Sequence, residues 1–277
     1  MSTSSSSSRG RRAKKRFGQH FLFDANILRR IVDAAELLPG ETVLEVGPGR
    51  GALTAEIARR GHRVVAVEID RDLTGELRAR FAGEPNVAIV EGDVLAFAPE
   101  DLLRQGGAAP PYAVVANLPY NIAAAVLRRL LEAGVPPRRI VAMVQREVAE
   151  AIVAGPGGMS LLSVAVQAYG EARIVLRVPP GAFSPPPKVQ SAVVRIDVAP
   201  AARVSVPLDR FFSIVRAGFG NTRKQLRNSL AIGLAIPPAA AEEMLKRAGI
   251  DPARRAQTLT VEEWERVTRA SMEQSAS

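Results

Sequence analysis

Val43-Leu44-Glu45-Val46 runs directly into Gly47-Pro48-Gly49-Arg50-Gly51-Ala52. An apolar strand ends in a tight glycine turn, and a helix opens behind it. Few architectures need that junction. The spacing fits the dinucleotide fingerprint, with Ala52 as the third small residue. Glu68 follows 21 residues after Gly47, at the end of the next apolar run. An acid there can bond both hydroxyls of a ribose. The pair predicts an adenosine-type ligand at the carboxyl ends of parallel strands. NAD and S-adenosylmethionine both carry adenosine, so the loop alone does not choose between them.

The rest of the chain repeats the junction's logic. Strand-like runs at 42–46, 63–68, 87–91, 112–116 and 139–145 alternate with helical patterns at 52–60, 72–81, 122–133 and 147–154. That alternation predicts an α/β fold, a Rossmann-like sheet with helices on both faces. An earlier helical pattern leads from Phe17 toward Leu38 and stops at Pro39-Gly40. After the Gly/Pro-rich stretch 155–158, a helix over 161–168 precedes a closing pair of strands at 173–178 and 192–198. Beyond Pro200 the pattern is helical only, around 208–219, 222–230, 238–248 and 260–272. The expected organisation is a low-complexity basic tail over 1–16, an α/β domain over 17–202 and a small all-helical domain over 203–277.

Composition narrows the chemistry. The chain of 277 residues has no cysteine and only two histidines, which excludes disulfides, thiolate metal sites and cysteine nucleophiles. No metal site is expected. No apolar run is long enough to span a membrane, and no apolar signal-peptide core opens the chain, so a cytoplasmic protein is expected. The net charge of +9 is concentrated at the ends: +6 over 1–16, −1 over 17–200 and +4 over 201–277. Residues 203–230 hold six basic groups against Asp209 alone. Basic ends on a near-neutral body favour a polyanionic partner through counterion release.

The fourth strand ends in Asn117-Leu118-Pro119-Tyr120. Asn and Pro are ordinary turn residues, but this turn is expected beside the ligand. The third strand ends near Asp93, which can accept from an adenine amino group. A nicotinamide enzyme has no general need for Asn-Leu-Pro-Tyr here, whereas a methyltransferase acting on an exocyclic amine does. The lone pair of such an amine is delocalised into its ring. Two acceptors on the amine hydrogens can turn it toward a methyl group. The Asn117 carboxamide oxygen and the Leu118 carbonyl, stiffened by Pro119, can supply them. Tyr120 offers a face on which an extruded base stacks.

Several further stretches share one order and spacing: K-K-R-F-G-Q-H-F-L at 14–22, L-E-V-G-P-G-R-G at 44–51, V-E-I-D at 67–70 and G-D-V-L at 92–95. N-L-P-Y-N-I at 117–122, V-Q-R-E-V-A-E at 144–150, F-S-P-P-P-K-V-Q-S-A-V-V at 183–194 and R-K-Q-L-R-N-S-L at 223–230 follow. Together they resemble the ribosomal RNA adenine N6-dimethyltransferases, most closely those of the small subunit, over residues 14–265. The resemblance implies a methyltransferase sheet with a reversed final strand, a helical C-terminal domain and S-adenosylmethionine as methyl donor. It implies dimethylation of two adjacent adenosines in the 3′-terminal hairpin loop of 16S rRNA, in a pre-assembled small subunit, by a monomeric enzyme. Carried over, His20 and Leu22 close over the cofactor, Gly47 touches its amino-acid part with Gly49 in the same loop, Glu68 holds the ribose and Asp93 the adenine. Asn117 bridges cofactor and target, and Phe183 packs on the base opposite Tyr120. Arg216, Arg223, Lys224 and Arg227 are the expected phosphate contacts. The chain departs from the family's pattern at Ala151, where arginine is usual. It departs again at Met159-Ser160-Leu161, in place of tyrosine-glycine-arginine, and at Asn221-Thr222. Three rivals share parts of this pattern: a macrolide-resistance methyltransferase of the large subunit, a non-catalytic nucleic-acid-binding factor and a nicotinamide oxidoreductase.

Overall fold

The computed structural model describes residues 20–274, so the expected disordered tail over 1–16 lies outside the described residues. Five strands follow the predicted bounds closely: β2 (Thr42–Val46), β3 (Arg63–Glu68), β4 (Val87–Glu91), β5 (Tyr112–Asn117) and β6 (Arg139–Gln145). With β7 (Gly170–Val178) and β9 (Ser191–Val198) they form a seven-stranded sheet of order β4-β3-β2-β5-β6-β9-β7. Strands β2 to β6 pair in parallel, and β9 runs antiparallel to both β6 and β7. The reversed strand is therefore inserted next to last in the sheet.

Alternation along the strands explains the two layers of helices. Leu44 and Val46 of β2 belong to one apolar cluster, with residues of α4 (Pro99–Gln105), α5 (Ala123–Leu131) and α6 (Arg146–Val153). Val43, just before Leu44, belongs to the opposite cluster, with residues of α1 (Ala25–Ala35) and α2 (Ala52–Arg59). A period of two sends neighbours to opposite faces. A third cluster lies among α8 (Leu208–Phe219), α9 (Leu226–Leu234), α10 (Pro238–Arg247) and α11 (Val261–Gln274). Helix α7 (Leu161–Gln167) joins the clusters: Val166 packs with the sheet, while Val164 and Ala165 pack with the C-terminal helices.

Two predicted elements are corrected, and one helix is new. The helix read from Phe17 begins at Ala25. The Asp24 carboxylate caps it by accepting from the backbone N–H groups of Asn26 and Ile27 at 2.9 and 3.1 Å. Ahead of that cap, Phe21–Leu22 is extended (β1) and pairs antiparallel with Phe183–Ser184 (β8). Helix α4 was not legible. It is short, starting with a proline and two acids. The helix read over 222–230 starts only at Leu226, because the N–H groups of Leu226 and Arg227 are taken by the Arg254 and Pro252 carbonyls. Arg223 and Lys224 consequently stand in the turn ahead of α9. No described helix is long and apolar enough to cross a membrane.

Candidate active site

The sheet order reverses between β2 and β5, and ligands of such sheets bind at the carboxyl ends of the strands beside that point. A cavity of about 280 Å³ opens there. Its wall includes His20, Leu22, Gly47, Gly49, Glu68, Asp93, Asn117, Leu118, Pro119 and Tyr120. Residues that the sequence scatters over a hundred positions thus meet on one surface.

The glycine turn forms the floor. Gly47 has φ +67°, and a Cβ on it would lie 3.4 Å from Pro119 Cδ. The loop after β2 therefore rests against the turn after β5. Gly49 has φ +58°, and a Cβ there would stand 3.1 Å from the Phe21 ring. Both positions call for glycine on conformation alone. Phe21 covers the loop, and the Arg50 guanidinium lies over the ring, 4.7 Å from its centroid. Phe21 and Arg50 were not singled out in the sequence, although both stand inside motifs that were.

Three carboxylates surround this floor, each held differently. One oxygen of Glu68 accepts from the backbone N–H groups of Ile69 and Asp70 at 3.0 Å, the other from that of Gly49 at 3.3 Å. Burial pushes its carboxyl above the usual range, against the lowering effect of those N–H groups. One oxygen of Asp93 accepts from the Leu95 N–H at 2.9 Å. Glu45 is the acid that sequence reasoning passed over. It lies within β2, is 1% exposed, and accepts from the Thr54 hydroxyl at 2.6 Å. Burial, aided by the charge of Glu68 and opposed by Thr54, pushes it up to about 8. Its one available signal was a carboxylate inside an otherwise apolar strand.

Glu45 also decides between ligand classes. Thr54 stands in the first turn of α2, where a dinucleotide's pyrophosphate would need free donors. The Glu45 carboxyl already occupies that place. With a pyrophosphate site filled from within the protein, and Glu68 and Asp93 beside the glycine cradle, the cleft suits a cationic ligand with an adenosine end better than a dinucleotide pyrophosphate. The residues present therefore fit S-adenosylmethionine. Among the described residues no cluster of histidines and acids could hold a metal.

The turn after β5 forms the upper wall. The Leu118 N–H donates to the Met143 carbonyl at 3.1 Å, and the Ile122 N–H to that of Pro119 at 3.1 Å. Leu118 is 1% exposed, so the core fixes it, while Asn117 and Tyr120 are half-buried on the cavity. The ring of His20 stacks on that of Tyr120 with centroids 6.3 Å apart. The Tyr120 hydroxyl lies 2.5 Å from Ser191 Oγ.

Phe183 stands apart from this group. It is 3% exposed, pairs with Leu22 in the ribbon, and packs among Leu22, Leu28 and Val178. It has no free face for a base in this conformation, because the ribbon's apolar side closes on the α1 layer.

The expected phosphate contacts also divide. Arg216, Arg223 and Lys224 are exposed. Arg227 is half-buried and pairs with Glu242 at 3.3 Å, an acid it shares with Lys246. Arg216 borders an open groove of about 580 Å³ with Met159, Ser160, Leu161, Phe219 and Thr222. Two of the three departures from the family pattern therefore meet in one place, far in sequence from the Asn117–Tyr120 turn.

Comparison with known proteins agrees with this geometry. Residues 10–272 match the family described as ribosomal RNA adenine dimethylase. The chain is 48% identical to a ribosomal RNA small subunit methyltransferase A of Dehalococcoides mccartyi, over 92% of this chain and 87% of that one. The protein of the same name from Alkaliphilus metalliredigens is 42% identical, over 93% and 91%. Among solved structures, the 23S rRNA methyltransferase ErmE superposes with a TM-score of 0.69 at 31% identity, covering 90% of this chain and 98% of that one. A dimethyladenosine transferase from Plasmodium falciparum shares the fold at a TM-score of 0.77 and 22% identity, over 92% and 98%.

The state of Glu45 has a measurable consequence. A carboxyl that titrates near 8 when folded and in the ordinary range when unfolded binds more protons in the folded chain between those values. Its contribution is complete at low pH and is lost as pH rises through the folded value. Thermal unfolding of the wild type should therefore lose stability between about pH 5 and pH 8, and Glu45→Gln should flatten that slope. Equal slopes would mean that Glu45 is ionised throughout.

Proposed function

Because the chain belongs to the ribosomal RNA adenine dimethylase family, and so is an rRNA adenine dimethyltransferase, we propose that it dimethylates the N6 amines of two adjacent adenosines in the 3′-terminal hairpin loop of 16S rRNA. The observation that carries this reading is one cavity bordered both by the acid-ringed glycine cradle and by the Asn117–Tyr120 turn. The substrate is the RNA in a pre-assembled small subunit, met by a monomeric enzyme in the cytoplasm.

S-adenosylmethionine, when bound, supplies an electrophilic methyl on sulfur. Glu68 holds its ribose, Asp93 its adenine and the Gly47–Gly49 loop its amino-acid part, while His20 and Leu22 cover it from the ribbon side. In the first transfer the Asn117 carboxamide oxygen and the Leu118 carbonyl accept from the two hydrogens of the target amine; in the second, on the monomethylated amine, one of them accepts from the single hydrogen that remains. That pulls its lone pair out of conjugation and toward the methyl. Tyr120 stacks on the base. The advantage is mainly one of positioning. No strong base is needed before transfer, since the methylated amine loses its proton to solvent afterwards.

The 31% identity to a 23S rRNA methyltransferase keeps a large-subunit substrate as the second reading. Transfer of tritium from labelled cofactor to undermethylated small and large subunits, run in parallel, separates the two. Label should enter the small-subunit rRNA alone. Label in the large subunit would overturn the proposal.

The exposed cations Arg216, Arg223 and Lys224, on the proposed RNA-gripping part over 203–277, are taken as phosphate contacts. Arg227 is a weaker candidate because Glu242 already neutralises it. Replacing Arg223 and Lys224 by alanine should reduce the salt slope of subunit binding by about 0.7–0.9 log units per lost contact. Cofactor affinity should stay constant. An unchanged slope would move the grip elsewhere on the surface.

A further inference from the structure

The hydroxyl of Tyr120 is engaged within the protein. It is bonded to Ser191 Oγ at 2.5 Å. Ser191 is 1% exposed and opens the reversed strand β9. It lies opposite Gln145 of β6 on one side and opposite Val178 of β7 on the other. Parallel strands deliver their last residues to the catalytic edge. An antiparallel strand delivers its first. Reversal of β9 is therefore what brings a buried serine to the edge where β5 ends, and the hydroxyl bond bridges from β9 to the turn after β5 across the end of β6.

That bond fixes the tip of the ring. The other neighbour of the ring is held from the same segment: His20 stacks against Tyr120, and its Nδ1 lies 2.8 Å from the Pro185 carbonyl oxygen. A neutral imidazole must then carry its proton on Nδ1 to donate there. The ring of Tyr120 is thus set by a hydroxyl anchor at its end and a fixed imidazole beside it. A stacking platform performs only when its rotamer is locked by surrounding groups.

We propose that Ser191 is a positioning residue for methyl transfer, holding the Tyr120 ring at the angle on which the target base stacks. This rests on the stacking role given to Tyr120 above. The serine does not touch substrate; it acts through the phenol. The hydroxyl of Tyr120 accordingly matters for the rate, although only the ring face meets the base. Neither member of the pair contributes to the cofactor's own contacts at Glu68 and Asp93.

The test is a double-mutant cycle of Ser191→Ala and Tyr120→Phe, read by single-turnover methyl transfer on undermethylated small subunits. Cofactor affinity and thermal midpoint are measured on every variant. Each single variant should slow transfer by about tenfold, the scale of a lost buried hydrogen bond. The double variant should be no slower than either single one, and cofactor affinity should not move. Ser191→Thr, which keeps the hydroxyl, should recover most of the rate. A wild-type rate in Ser191→Ala, or losses that multiply in the double variant, would overturn the proposal. Tyr120→Ala separates this outcome from failure of the underlying reading. If it transfers methyl at the wild-type rate, the stacking role itself is wrong, whatever Ser191 does.

Discussion

The pairing of β2 with β5 is the constraint on which the catalytic edge depends. Thr42, Val43 and Leu44 lie in register with Tyr112, Ala113 and Val114, so the two strands end side by side. The glycine turn and the Asn117–Tyr120 turn then leave the sheet from adjacent places. Gly47 closes against Pro119 because no side chain intervenes. One-residue slippage would turn every apolar side chain of β2 to the wrong face, and would also part the glycine turn from the Asn117–Tyr120 turn. The two layers of apolar packing therefore specify the register that the chemistry needs.

Charge is arranged on the same edge with a single bias. Glu68 and Asp93 border the cavity, while Glu45, kept protonated by burial until about pH 8, fills the first turn of α2 through its bond to Thr54. A cationic donor is complementary to this pair of acids. A polyphosphate is not. On the C-terminal helices and the turns between them the bias is reversed. Arg216, Arg223 and Lys224 are exposed, and several acids there, such as Glu242 and Glu263, pair with neighbouring cations. The chain thus separates an acid-bordered cleft from a basic surface, the first suited to a cation and the second to a polyanion. Salt should act on the second far more than on the first.

Much of this was legible in the sequence because it rests on local rules. The strands at Thr42–Val46, Arg63–Glu68 and Val87–Glu91 followed from short apolar runs between turn residues. The turn at Asn117–Tyr120 followed from residue types that have few uses together. What stayed hidden depends on distant partners. Phe21–Leu22 is extended only because Phe183–Ser184 pairs with it, and a helical period ran through both halves of that stretch. Phe183 has the residue type of a stacking platform and the burial of a core residue, and the sequence cannot tell these apart. Ser191 stands inside the 183–194 motif, but its role had no signal there, since a serine opening a strand is ordinary until a phenol is found bonded to it. Arg227 read as free until Glu242 was placed beside it.

The central claim is that the turn after β5 is an amine clamp with Asn117 as one jaw. Single-turnover methyl transfer by Asn117→Ala, at saturating cofactor and undermethylated small subunits, tests it most directly. Loss of a contact made in the transition state should slow transfer by about 100- to 1000-fold. The same measurement on Leu118→Ala should show much less, since only its backbone carbonyl takes part. A wild-type rate in Asn117→Ala would contradict the account and leave Asn117-Leu118-Pro119-Tyr120 as a strand end that merely turns.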